Sequence, residues 1–259
     1  GTYYENVIVH KAIDLVGEDA ATTIIDGMHI DDPLWINTLS VDVYGFTVTN
    51  SPEDGWSQGI CVVDKKWHGP GDPYITLTDI TISGCIVEYN DCGIRLSNTR
   101  NVEIADCIIR NNSGLSVYNI YSSQVRIHHC TVENNGNGFP GGITICKDPD
   151  LGDSEYIEVF NCTITGNVFA GILIEGGSYH VHVHHNEICR NPEKGIFVSS
   201  SGGPTRDIFI HDNDIFENRG GICLQDCIRS VNIQKNRISS STKGVYLLRS
   251  SINKIIGNI

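Results

Sequence analysis

The sequence predicts an all-β chain wound into a parallel β-helix, with three short strands per coil and roughly 9–10 coils over its 259 residues. Two recurring patterns and one spacing carry that prediction. Eight times a glycine is followed by an aliphatic residue that opens a short alternating stretch: Gly59-Ile60, Gly93-Ile94, Gly114-Leu115, Gly142-Ile143, Gly171-Ile172, Gly195-Ile196, Gly221-Ile222 and Gly244-Val245. Between copies runs aliphatic-x-aliphatic-x-x-Cys/Asn-x-aliphatic-x-x-Asn. It reads Val102-Glu103-Ile104 through Cys107 and Ile109 to Asn112, and again Val181-His182-Val183 through Asn186 and Ile188 to Asn191. The marker glycines recur every 21–26 residues in the best-spaced copies, from 93 to 114 and from 171 through 195 and 221 to 244. Such a unit is too short for a propeller blade of about 40 residues, and it lacks the helical period of ankyrin or TPR repeats. One solenoid coil fits, each inward side chain stacking on its equivalent in the next.

The elements follow in order. Asn6-Val7-Ile8-Val9, Ile13-Asp14-Leu15 and Thr23-Ile24-Ile25-Asp26-Gly27 supply a first coil, and Val41-Asp42-Val43 repeats the pattern with Phe46 at the Cys/Asn position. The copy from Gly171 shows the three strands plainly as Ile172-Leu173-Ile174, Val181-His182-Val183 and Asn186-Glu187-Ile188. Such alternation marks strands with one buried face. Asn90, Asn112, Asn135, Asn167, Asn191 and Asn218 each follow the Cys/Asn position by 5 residues. Asparagine tolerates left-handed backbone and bonds its own turn, and stacked amides can bond along the axis. Cys85, Cys107, Cys130 and Cys162 share one repeat position that Asn186, Asn213 and Asn236 fill later. Cysteine packs as a small hydrophobe, so a buried ladder is expected. The strand spacing of about 4.8 Å leaves disulfides between rungs open.

Composition narrows the partners. With 18 Lys+Arg against 31 Asp+Glu the net charge is -13, which argues against nucleic acid and means that a polyanion would need a bridging cation or a local basic patch. No apolar run nears the roughly 18 residues of a membrane span, so no membrane insertion is expected. Ten cysteines without C-x-x-C pairs point to an oxidising compartment or an anaerobic source. One domain is expected over 1–259. Both ends fall inside the repeat pattern, as in a fragment of a longer chain whose coils could stack end to end on neighbouring modules.

Gly1-Thr2-Tyr3-Tyr4-Glu5-Asn6-Val7, Leu15-Val16-Gly17-Glu18, Thr23-Ile24-Ile25-Asp26-Gly27 and Gly45-Phe46-Thr47-Val48 resemble the NosD-like branch of the right-handed parallel β-helix repeat superfamily. That superfamily includes pectate lyases, polygalacturonases, alginate epimerases, phage tailspikes and surface proteins. The resemblance implies a right-handed coil, an extracellular, cell-surface or periplasmic location, carbohydrate association, and for the NosD-like branch a link to copper. None of the compact catalytic signatures of the lyases, polygalacturonases or epimerases stands at a matching position.

Function is expected where insertions break the repeat on one flank. The insertions are 64–74, 147–155 and 199–207. Trp67 and Tyr74 offer faces for a sugar ring, and His68, Lys147 and Glu175 join them as binding candidates. Asp148, Asp150, Asp153 and Glu155 could supply the carboxylate pair of a glycoside hydrolase. Lys66 or Arg206 could serve as the base of a polysaccharide lyase, with Ca²⁺ at the acidic loop. His182 and His184, with His211 one coil on, are the candidate ligands for Cu²⁺ or Zn²⁺. Three functions are therefore open: polysaccharide binding or processing along the loop flank, a surface-layer, sheath or adhesin module without catalysis, and metal handling.

Overall fold

A computed structural model of the protein describes residues 1–64, 75–137, 140–227 and 230–259. Among them, thirty strands form three ten-stranded parallel sheets, each built from every third strand in the chain. Sheet A runs from Thr2–Tyr4 to Arg237–Ser239, sheet B from Val7–Val9 to Lys243–Leu248, and sheet C from Asp14–Val16 to Lys254–Ile256. The chain thus winds about ten turns of a β-solenoid.

Each turn closes because most strands point aliphatic, largely β-branched side chains inward. In sheet C the register sets Val102 against Val125, then Ile157, Val181 and Ile208, all buried in one continuous apolar core. The corners carry polar columns. Between sheets A and B the Asn112 backbone N–H donates to Asn135 Oδ1 at 3.1 Å, and the Asn112 amide donates to the same oxygen at 2.9 Å. Asn135 repeats both bonds to Asn167. Between sheets C and A, Asn186, Asn213, Asn236 and Asn258 form a second amide ladder. On the earlier coils Cys85, Cys107, Cys130 and Cys162 stand at that corner as buried, free thiols. The Cys130 thiol and burial together push the Cys107 and Cys162 thiols far up.

Two details differ from the sequence expectation. The ladder asparagines are not themselves the left-handed residues: positive φ falls on the residue before each, at Tyr89, Asn111, Asn134, Gly166, Arg190 and Glu217. The bend is made one position early, which turns the following amide inward. Gly114-Leu115 also does not open a strand. Val117 pairs with Ile94 and Ile143, so Ser116 takes the place of the marker glycine, while Gly114 bonds the Asp91 carbonyl in the preceding turn.

Candidate functional site

The middle residue of each aliphatic-x-aliphatic strand in sheet C faces outward, and parallel register stacks these residues into a column. From the N-terminal end it reads Asp14, Asp42, Thr81, Glu103, Arg126, Glu158, His182, Phe209, Asn232 and Lys254. Its first part lines a concave pocket of about 350 Å³, where Asp14, Asp42, Asp79 and Glu103 meet Asn101. Ser40 and Thr81 add hydroxyls. Hydrogen bonds from Asn101 Nδ2 at 2.6 Å and Thr78 Oγ1 at 2.7 Å hold the Asp79 carboxyl below the usual carboxylate range. Coils about 4.8 Å apart place Asp42 and Glu103, two steps from each other, about 9.6 Å apart along the axis.

Further along the face, rings stack in axial register. His128 lies on Phe160 at 4.8 Å, Phe160 on His184 at 5.3 Å, and His184 on His211 at 5.0 Å with a 6° interplanar angle. Phe160 thus bridges His128 and His184. His128 Nε2 meets Glu103 Oε1 at 2.6 Å and His184 Nε2 meets Glu158 Oε1 at 3.0 Å. Arg126 sits between the two carboxylates, 3.3 Å from Glu158 and 4.0 Å from Glu103. Partial burial raises Glu158, but His184 and Arg126 outweigh it and hold its carboxyl below the ordinary value. A parallel stack, Tyr156 on His180 at 4.7 Å, borders the face on the loop side.

The loops 147–155 and 199–207 each join a sheet B strand to a sheet C strand, so they edge this same face. Lys66, Trp67, His68 and Tyr74 lie outside the described residues. In the second loop Asp148 caps its own turn: Oδ1 accepts the N–H of Asp150 at 2.9 Å and of Leu151 at 3.0 Å. Asp150 and Asp153 are exposed. Burial and a hydrogen bond to Asp153 raise the Tyr179 hydroxyl, and the Arg206 guanidinium lies 5.7 Å over the Tyr179 ring. Glu155, Tyr179 and Arg206 occupy one register column on consecutive coils. Lys147 crosses toward Gly177, where a Cβ would lie 2.6 Å from its side chain and φ is +79°. Partial burial pushes the Glu175 carboxyl up. His184 and His211 are brought together, whereas the His182 ring tilts over Phe209 at 4.9 Å.

The pocket carboxylates Asp14, Asp42, Asp79 and Glu103 were not among the residues anticipated from sequence. The signal that marks three of them is the outward position in Ile13-Asp14-Leu15, Val41-Asp42-Val43 and Val102-Glu103-Ile104.

The profile of the right-handed β-helix region matches residues 37–188 and 151–259, so the chain belongs to the right-handed β-helix family. No curated protein sequence matches it significantly. Among solved structures it is similar to the A-module of the Azotobacter vinelandii mannuronan C-5 epimerase AlgE4, with TM-score 0.62 and 17% identity over 98% of this chain and 83% of that one. It is similar to the Dettilon tailspike protein gp208, with TM-score 0.74 and 13% identity, where it spans 99% of its own length but 54% of the tailspike. Endopolygalacturonase I from Stereum purpureum, solved with two galacturonates, gives TM-score 0.54 and 18% identity over 94% of this chain and 79% of that one. Likeness at such identities establishes the fold.

Proposed function

We propose that the chain is a polysaccharide-binding β-helix domain, working outside the cytoplasm or at a cell surface, whose ligand lies along the outer face of sheet C. The observation that carries this reading is the concave pocket lined by Asp14, Asp42, Asp79, Glu103 and Asn101. Carboxylates and amides in an open polar pocket accept hydrogen bonds from sugar hydroxyls, and the outward column continues along the axis through Arg126 and Glu158. The neighbouring epimerase and galacturonate-bound polygalacturonase support the class of ligand. Four carboxylates in the pocket and a net charge of -13 favour a neutral or amino-bearing glycan. A uronate polymer would need Ca²⁺ to bridge like charges.

Processing is a second reading, favoured by Glu175, whose raised carboxyl on the loop flank suits a general acid. Titration calorimetry against neutral, amino and uronate oligosaccharides, with and without Ca²⁺, tests the first reading. Asp42→Asn and Asp79→Asn should weaken binding at least tenfold. Binding unchanged in both variants overturns the site. For the second reading, wild type should release reducing ends or unsaturated products and Glu175→Gln should not. Silence of the wild type on every glycan it binds removes catalysis from the account.

A further inference from the structure

We propose that the outward corner formed by His184, His185, His211 and Asp212 binds a divalent first-row transition ion, Cu²⁺ or Zn²⁺. The argument begins with Glu158. A carboxylate only accepts, so the 3.0 Å contact of Glu158 Oε1 with His184 Nε2 places the ring proton on Nε2. His184 Nδ1 then faces His185 Nδ1 at 2.8 Å as the acceptor of a hydrogen bond, and a metal ion would take the place of the proton between them. A carboxylate orienting the far nitrogen of an imidazole is the recurrent outer shell of protein metal sites.

Strand register supplies the remaining donors. His184 pairs with His211 and their rings stack at 5.0 Å. The His185 N–H bonds the Asp212 carbonyl at 3.1 Å, which sets Asp212 beside His185 one coil on. Asp212 Oδ2 lies 2.8 Å from His211 Nδ1. By the same rule His211 Nδ1 donates its proton to Asp212, and a metal ion would displace that proton; three imidazoles and one carboxylate thus share one corner, a donor set suited to Cu²⁺ or Zn²⁺. Among the described residues no three such donors are already gathered around a point; the close pairs here are His184 with His185 and His211 with Asp212. His185 and Asp212 are exposed, so metal binding would draw their side chains toward His184 and His211.

The fold carries its own comparison. Glu103, His128 and His129 repeat the first half, with 2.6 Å from Glu103 Oε1 to His128 Nε2 and 2.8 Å between the two Nδ1 atoms. The next coil there offers Phe160 and Asn161, and the Asn161 amide already faces His129 Nε2 at 3.3 Å. That half-site lacks the second imidazole and the carboxylate, and it should bind more weakly.

The test titrates the metal-stripped chain, without glycan, with CuSO₄ or ZnCl₂ by calorimetry, and counts nitrogens on bound Cu²⁺ by electron paramagnetic resonance. The expected result is one tight ion per chain with imidazole nitrogens coordinated. Glu158→Gln should weaken it about 10–100-fold, and His185→Asn or His211→Ala should abolish tight binding. His185→Asn keeps a residue that tolerates the left-handed turn at φ 55°, so loss of the fold does not confound it. His182→Ala and His129→Ala should bind as the wild type does. Absence of saturable binding, or unchanged affinity in both His185→Asn and His211→Ala, overturns the proposal. Neither outcome bears on saccharide binding, which is read separately.

Discussion

Truncating Asn135 to alanine should destabilise the solenoid more than a substitution of this size ordinarily does. Asn135 is 0% exposed. Its Nδ2 donates to the Ile109 carbonyl at 3.0 Å and to Asn167 Oδ1 at 2.9 Å. Its Oδ1 accepts from the Asn112 backbone N–H at 3.1 Å and from Asn112 Nδ2 at 2.9 Å. Alanine removes these bonds and strands the Asn112 backbone donor where water does not reach. A buried hydrogen bond contributes about 1 kcal/mol net and an orphaned buried donor costs about 1–3 kcal/mol, so loss of the four bonds should cost about 5–7 kcal/mol. Asn258→Ala at the last rung is the control, since Asn258 is only partly buried and solvent can replace its bonds to Asn236. It should cost under about 1.5 kcal/mol. Urea unfolding followed by circular dichroism, with m compared between variants, gives both values. Hydrogen exchange would locate the loss, since repeat stability is carried by nearest neighbours. A change below about 1 kcal/mol in Asn135→Ala would refute the ladder as a source of stability.

Three further outcomes are expected. Burial raises the Asp91 carboxyl above its ordinary 3.8, and its Oδ2 is buried without a partner. The folded state therefore holds the proton to higher pH than the unfolded chain, and wild-type stability falls as pH rises from about 3.8 through the raised value. Asp91→Asn should be the more stable protein at pH 7 and lose that advantage in acid; an advantage independent of pH contradicts this. Alkylation at pH 8 should leave Cys85, Cys107, Cys130 and Cys162 unlabelled in the native protein and label all four in denaturant. Equal rates in the two states, read by peptide mass spectrometry, would show that the corner is open. Gly177→Ala places a Cβ 2.5 Å from Asp153 Oδ1 at a residue with φ +79°. It should lower the thermal midpoint and increase proteolysis at 147–153, whereas a silent substitution would mean that the loop is not held as described.

Much of the fold was legible because the repeat writes its own register. The column from Cys85 to Cys162, continued by Asn186 and Asn213, and the pairing of His184 with His211 both follow from aligning aliphatic-x-aliphatic units. Gly114 misled because a glycine in a turn looks like a glycine before a strand, and only hydrogen bonding separates them. The left-handed residue was placed on the ladder asparagine because propensity favours asparagine there. In the coil Tyr89, Arg190 and Glu217 accept that conformation so that the next amide can turn inward. The pocket was least legible. Asp14 and Asp42 are ordinary outward strand residues, and they meet Asp79 and Glu103 only once the irregular early coils have been wound in register. Loop composition points instead to Asp148, whose carboxylate is engaged by its own turn.

The central claim, that a glycan lies along the outer face of sheet C, is tested most directly by hydrogen exchange with and without a saturating oligosaccharide. The account predicts slower exchange in the strands Val41–Tyr44, Leu77–Ser83 and Thr99–Ala105, with sheet A strands such as Ile86–Glu88 and Ile108–Arg110 unchanged. Protection confined to sheet A, or spread evenly over all three sheets, would contradict it.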